Sequence, residues 1–431
     1  MRSVQVVLAA ATAVGSVGLA AGGTAGALVA AELTGGSAWA GAPLGAVVIG
    51  SAAGAVLISR VTRIAGRNTG LVLGYSVGAV GAGLVVAAMA ASNFGLVVVG
   101  NVVMGVANAA VFLARYAAAD VVPAAARGRA LGVVLTGAAV GAVAGPNLLG
   151  PSGDLAAQLG LSRLGGLYIV AVVAFLAAGA ILALLGRRTR EPVAGVRFAT
   201  GRTTRPHPSV GAGNGIFVLA VTNLVMVAVM AIAPLHLVAH GHHLGIVGLI
   251  VSIHVLCMFA PAPLAGWLVD RVGAPCVAGI GAALIVVTGV IAAFTDPTSA
   301  VSLTVVLAVL GLGWCAGVVA GSVMVIDSLP GAQRWRAEGI GEVAMGMAAG
   351  VGAPLAGLVV AFGGFPTLVV VVSVVSLVML YRSWWTMRRR PDASAVGAAA
   401  QPGCYTIREP PPPSAGSSLP DATAQVPRRP R

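Results

Sequence analysis

The chain reads as an all-α membrane protein, with twelve transmembrane helices in two pseudo-symmetric six-helix bundles. Three observations predict this. The composition is 58% hydrophobic and only 9% charged, with a mean hydropathy of +0.98, whereas soluble domains need about 25% charged residues to cover their surface. The sequence also breaks into twelve apolar runs, each long enough for a hydrocarbon core of about 30 Å, which takes about 20 helical residues. Finally, a polar pattern recurs at a spacing of 207 residues (327 − 120). Asp120, Pro123, Arg127, Arg129, Gly132 and Gly145 return as Asp327, Pro330, Arg334, Arg336, Gly339 and Gly352.

In order, the first six runs are 5–31, 41–59, 69–91, 95–117, 130–150 and 164–186. The second six are 214–238, 245–268, 274–294, 300–325, 338–362 and 366–386. The apolar N-terminus is read as the first span and not as a signal peptide, because no clear cleavage site follows it. These runs are rich in Gly, Ala and Val, which lets helices pack closely in a membrane. The expected organisation is therefore a first bundle over 1–186, a basic linker over 187–213 and a second bundle over 214–390. A Pro-rich tail follows over 391–431, with Pro410 to Pro413 in a row; its composition predicts disorder.

The net charge of +13 does not point to nucleic acid. Every basic residue is arginine, and the arginines fall in short clusters between apolar runs. Arg60, Arg63, Arg67, Arg127, Arg129, Arg271, Arg334 and Arg336 all lie in loops on one side, while only Arg163 lies on the other. The positive-inside rule then places both termini and the linker in the cytoplasm, in a multi-pass protein of the inner (plasma) membrane. Cys257 and Cys315 sit in apolar runs, Cys276 beside a short loop and Cys404 in the tail, so neither a disulfide framework nor a metal spacing is present.

Each copy of the repeat starts at the inner end of one span and crosses an arginine loop into the next. A duplicated element of this kind in so apolar a chain points to a transporter made of two like halves. Downstream of the first copy, Gly132, Gly141, Gly145, Pro146 and Gly150 space small residues along the fifth span and end in Gly-Pro. Small residues let that span press on a neighbour, and Pro146 frees a backbone carbonyl. After the eighth span come Gly266, Asp270, Arg271 and Gly273; the equivalent first-half loop keeps Gly54, Arg63, Gly66 and Arg67 but has no Asp. On these motifs, residues 1 to about 390 resemble the major facilitator superfamily, and the glycine series resembles the antiporter motif of its twelve-helix bacterial drug:proton antiporters. The resemblance implies alternating access, export and proton coupling. It also implies an inner gate latch built from Asp120, Arg127, Arg129, Asp270, Arg271, Asp327, Arg334 and Arg336.

Ionisable groups inside spans are costly and are functional candidates by default. Arg115 lies one and a half turns before Asp120. It could bind an anionic substrate group, pair with an acid on another helix or snorkel to headgroups. Glu338 and Glu342 share a helix face; Glu338 belongs with the latch, and Glu342, a turn deeper, is a candidate proton carrier. His236 and His254 are further candidates for proton or substrate binding, and Pro234 is expected to break the seventh span beside His236. His240, His242 and His243 complete a cluster for which no acidic or thiol ligand is at hand, so no metal site is assigned. Asn101, Asn108, Asn223 and Trp314 are candidate cavity residues, equally able to hold helices together.

No nucleotide loop or catalytic triad is present, so neither an enzyme nor a cofactor is expected. The predicted partners are the lipid bilayer, a small-molecule substrate and protons, with the chain acting as a monomer. The expected function is export of a small hydrophobic compound by proton antiport. Proton-coupled uptake of a metabolite is the alternative, and a non-transporting sensor working through the tail is the reading from another class.

Overall fold

A computed structural model of the protein describes residues 2–35, 39, 41–188, 208–296 and 298–388. Most of the predicted linker (189–207) and all of the predicted tail (391–431) lie outside the described residues. Residues Met1–Arg388 form one compact unit. Among the described residues the regular structure is helical throughout, and eleven helical stretches are long and apolar enough to cross a membrane. The last of these, Gln333–Trp385, has 53 residues, enough for two crossings. Twelve crossings result.

In the first half, α1 (Arg2–Thr34), α2 (Ala42–Ala65), α3 (Arg67–Ala90) and α4 (Phe94–Asp120) cross in turn. After a short 3₁₀ turn, α5 (Arg127–Asn147) crosses back, a ten-residue α6 (Leu149–Gln158) follows, and α7 (Gly165–Arg188) completes six crossings. In the second half, α8 (Pro208–Ala239) is crossing seven. Crossing eight is two helices, α9 (Leu244–Phe259) and α10 (Ala262–Val272). Then come α11 (Ala274–Phe294), α12 (Ala300–Ser328) and α13 (Gly331–Arg388), whose two arms meet at Gly364, where φ is 75° and ψ 179°.

Two breaks differ from expectation. Pro234 does not interrupt crossing seven: α8 runs through it to Ala239. The break falls instead in crossing eight, at Pro261. A single proline removes one donor from a helix and keeps a helical φ, whereas Pro261 and Pro263 remove two donors within three residues. The chain bridges this gap with Ala260 N donating to Leu256 O at 2.8 Å and Ala265 N donating to Pro261 O at 2.9 Å.

Two tight turns show the duplication in the backbone. Gly66 joins α2 to α3 at φ 88°, ψ 161°, and Gly273 joins α10 to α11 at φ 91°, ψ 151°. They stand 207 residues apart (273 − 66), and that region of φ/ψ space is open essentially to glycine alone. At the loop between α11 and α12, Asp296 Oδ1 accepts from Thr298 Oγ1 at 2.7 Å and Thr298 N at 2.8 Å. Those donors hold its carboxyl below the ordinary value.

The halves meet along two seams, α5 against α10 and α2 against the first arm of α13. A shift of one repeat turns one seam into the other, since crossing two corresponds to crossing eight and crossing five to crossing eleven.

Candidate functional site

The site is built on α4, whose residues 101, 108 and 115 recur every seven positions and so share one face. Along that face lie three layers.

The first layer is at the arginine-rich end. Arg127 of the first repeat copy pairs with Asp327 of the second at 2.5 Å, and Arg334 of the second pairs with Asp120 of the first at 2.6 Å. Each copy therefore hands its arginine to the other copy's aspartate. Arg67 reaches Asp120 at 2.7 Å and Glu338 at 2.6 Å, while Arg334 also holds Glu338 at 2.9 Å. Glu338 is 1% exposed, so this cluster is partly shielded from water.

Asp270 works differently. Its carboxylate accepts from the backbone N–H groups of Gly128 (2.7 Å) and Arg129 (3.0 Å), free donors in the first turn of α5. The Arg129 side chain stands 3.6 Å from it. The cap is possible because Gly128 and Gly266 bring two backbones together; a Cβ on either would overlap the other's carbonyl oxygen. At the equivalent place in the other seam, Ser59 stands for Gly266 and Arg63 for Asp270 (266 − 207 and 270 − 207). No carboxylate is available there, and the Arg67–Glu338 pair makes the link instead. Arg271 lies over the Trp267 ring at 5.0 Å, and Arg336 is exposed with no ion-pair partner among the described residues.

The second layer lies one turn deeper. Arg115 is fully buried and each of its three guanidinium nitrogens is hydrogen-bonded. Nε donates to Ser322 Oγ at 3.0 Å, one η nitrogen to Phe112 O at 2.6 Å, and the other to Glu342 Oε1 at 2.5 Å and Tyr116 Oη at 3.3 Å. The guanidinium also lies 4.6 Å from the centre of the Tyr116 ring. Of the readings open for Arg115, the geometry takes the acid on another helix. Asn223 and Trp314 are tied to each other (Nε1 to Oδ1, 3.2 Å), and Asn223 donates to Met345 O at 2.9 Å, three residues past Glu342. Phe259 meets Trp314 edge-on, with ring centres 5.4 Å apart.

The third layer is a cavity of about 200 Å³ among α1, α2 and α4, lined in part by Asn101 and Asn108. Asn101 is buried; its amide donates to Val97 O at 2.9 Å and its carbonyl accepts from Tyr168 Oη at 3.3 Å. Asn108 donates to Ser51 Oγ at 3.0 Å. Arg115, Asn223, Trp314 and His236 do not line this cavity. His236 stacks on Phe365 at 4.6 Å near the far end of α8, and His254 is buried in α9, with Nδ1 donating to Leu307 O at 2.7 Å.

The glycine series of α5 has two faces. Gly128 and Gly132 press on α10 of the other half, whereas Gly141 and Gly145 press on Ser16, Val17, Ala20 and Ala21 of α1. Gly150 lies beyond α5 with open space around it, and α5 itself ends one residue after Pro146.

Ser322, Tyr116, Met345 and Arg67 were not singled out as site residues in the sequence. One signal existed for Ser322: it is Arg115 plus one repeat (115 + 207).

An all-helical membrane protein whose like halves are joined by exchanged charges invites comparison with known transporters. Over 386 residues the chain is 34% identical to the uncharacterized MFS-type transporter YdeG of Bacillus subtilis (strain 168), covering 87% of this chain and 90% of that one. The chain belongs to the major facilitator superfamily. Residues 215–429 match the family described as Major Facilitator Superfamily. The riboflavin transporter RfnT of Brucella anthropi is 28% identical over 325 residues, covering 74% of this chain and 79% of that one. Among solved structures, the E. coli fucose:proton symporter FucP superposes with a TM-score of 0.66 at 15% identity, covering 90% of this chain and 98% of that one. The superfamily consists of transporters and not enzymes, and this member is a multi-pass membrane protein.

Proposed function

We propose that the protein exports a small, rather hydrophobic compound across the plasma membrane in exchange for protons, as a monomer working by alternating access. Both termini and the arginine-rich end face the cytoplasm, as the positive-inside rule requires. The conformation described is then the one closed on the cytoplasmic side.

The observation that carries this reading is the buried Arg115–Glu342 pair, which joins α4 of one half to α13 of the other. A proton arriving on Glu342 cancels its charge and removes the attraction. Arg115 keeps Ser322, Tyr116 and the Phe112 carbonyl, so the guanidinium stays solvated by its own neighbours while α13 is released. The latch pairs at the partly solvated end, such as Arg127–Asp327, are worth about 1 kcal/mol each, small enough to break in every cycle. Coupling requires that protonation favour one conformation over the other, and a pair that exists in only one of them meets that condition. His254 and His236 are the other candidate carriers.

The second reading is proton-coupled uptake, with a substrate of the kind named for the riboflavin-transporter relative. Everted vesicles with an acidified lumen and a pH-sensitive dye separate the two. Under antiport, adding substrate alkalinises the lumen, and Glu342→Gln or Arg115→Ala abolishes the response. Under symport, substrate does not alkalinise everted vesicles but does alkalinise the medium around right-side-out ones. Silence in both preparations across a compound library, with normal membrane insertion, would sink the proton-coupled reading.

A further inference from the structure

We propose that the cavity between α1, α2 and α4 is selective for uncharged ligands, with an apolar body and one neutral hydrogen-bonding group directed to Asn108. The proposal rests on the transporter reading and names the substrate class of its site. None of the ten residues around the cavity is ionisable. Leu19, Pro43, Val48 and Met104 supply apolar wall, and only Asn101 and Asn108 are polar with side chains. Asn101 is committed at both ends of its carboxamide, to Val97 and Tyr168. Asn108 is tied at one end to Ser51, and the other end has no hydrogen bond to protein among the described residues. One neutral group of the ligand completes it.

The nearest charge on the same face of α4 is Arg115, two turns away and about 10.5 Å along the helix. It offers an entering anion nothing, because it is fully buried and its donors serve Ser322, Phe112, Tyr116 and Glu342. Any ion entering the cavity would shed its water with no counter-charge in return, which is strongly unfavourable. The volume of about 200 Å³ is below the range of about 300–1,000 Å³ usual for drug-sized sites, so a small ligand or one end of a larger one fits. One wall residue of the cavity packs against the acid's helix: Val48 lies 3.9 Å from where a side chain on Gly346 would begin, one turn past Glu342. A ligand here bears on the helix that carries the proton site.

The test uses the full-length protein in membrane vesicles, with Cys257, Cys276, Cys315 and Cys404 replaced by serine and one cysteine introduced as Met104→Cys or Val48→Cys. Three methanethiosulfonates serve as probes: a neutral methyl, an anionic sulfonatoethyl and a cationic trimethylammonioethyl reagent. Rates are divided by those at an exposed control position on α6, Asp154→Cys. The neutral reagent should react at least about tenfold faster than either charged one, and adding Asn108→Asp should raise the cationic rate selectively. Equal rates for an anionic and a neutral reagent would overturn the proposal, as would failure of the neutral reagent to react at both positions. Labelling requires no transport, so a silent pH-dye assay leaves the charge selectivity standing, and unselective labelling leaves the antiport reading standing.

Discussion

At Arg115 all three guanidinium nitrogens are hydrogen-bonded and no part of the side chain reaches solvent, which makes stability depend on the partner acid. Removing one member of a buried pair strands the other, at a cost of about 3–5 kcal/mol. Glu342→Ala should therefore lower the melting temperature of the purified protein sharply. Glu342→Gln, which still accepts a hydrogen bond, should fold nearly normally yet lose its substrate-driven pH response. A melt of Glu342→Ala indistinguishable from wild type would mean the pair is not closed in the resting state. A second residue-scale prediction concerns the turns. Gly66→Ala and Gly273→Ala force a side chain into a backbone region costing about 1–3 kcal/mol. Gly357→Ala, in a helix with open space around the Cα and no positive φ, should be neutral or slightly stabilising. Thermal melts of the three variants check the ranking.

At the scale of elements, α5 separates two jobs along its length. Gly132→Leu should hold α5 away from α10, so that a cysteine placed at the arginine-rich end reacts faster with a membrane-impermeant maleimide while the fold survives. Gly141→Leu collides with α1 inside its own half and should reduce folded yield instead, measured by size-exclusion profile. Loss of yield from both substitutions alike would remove the distinction. Most of these elements were legible in the sequence, because a membrane crossing is written into a local run of apolar residues. The repeat spacing also marked α4, α5 and their counterparts. What local pattern could not give was partnership. Nothing near Arg127 in the chain says that it meets Asp327 and not Asp120, seven residues away, since the choice is made by how the halves dock. The proline breaks misled for a related reason: Pro234 looked decisive alone, but breaking a helix depends on how many donors are lost together, and Pro261 with Pro263 loses two.

For the whole molecule, five of the eight ion pairs among the described residues join the two halves, all at the arginine-rich end or one turn inside it. The arginine-rich end is thus held by charge while the cavity lies beyond it. Reversing one partner, as in Asp120→Arg, should open the latch, and the second change Arg334→Asp should restore part of what was lost. The coupling in such a double-mutant cycle should be about 0.5–1 kcal/mol, and smaller in high salt. Purely additive effects on transport rate would show that the pair does not form in the working cycle.

The bond from Arg115 to Ser322 spans 207 residues, the same interval that relates the two halves. A residue in contact with its own counterpart lies on the axis between them, where a perfectly symmetric molecule must face each side chain with its twin. Two arginines there would repel in a buried site, and two serines would leave Glu342 buried with no cation from this pair of positions. Neither matched pair can build the buried Arg115–Glu342 pair. Symmetry and chemistry are incompatible at this one position, so the copies had to diverge here before the pair could exist. The test of that necessity is simple: Ser322→Arg alone should fail to fold, whereas exchanging the two residues moves the charge across the axis without doubling it.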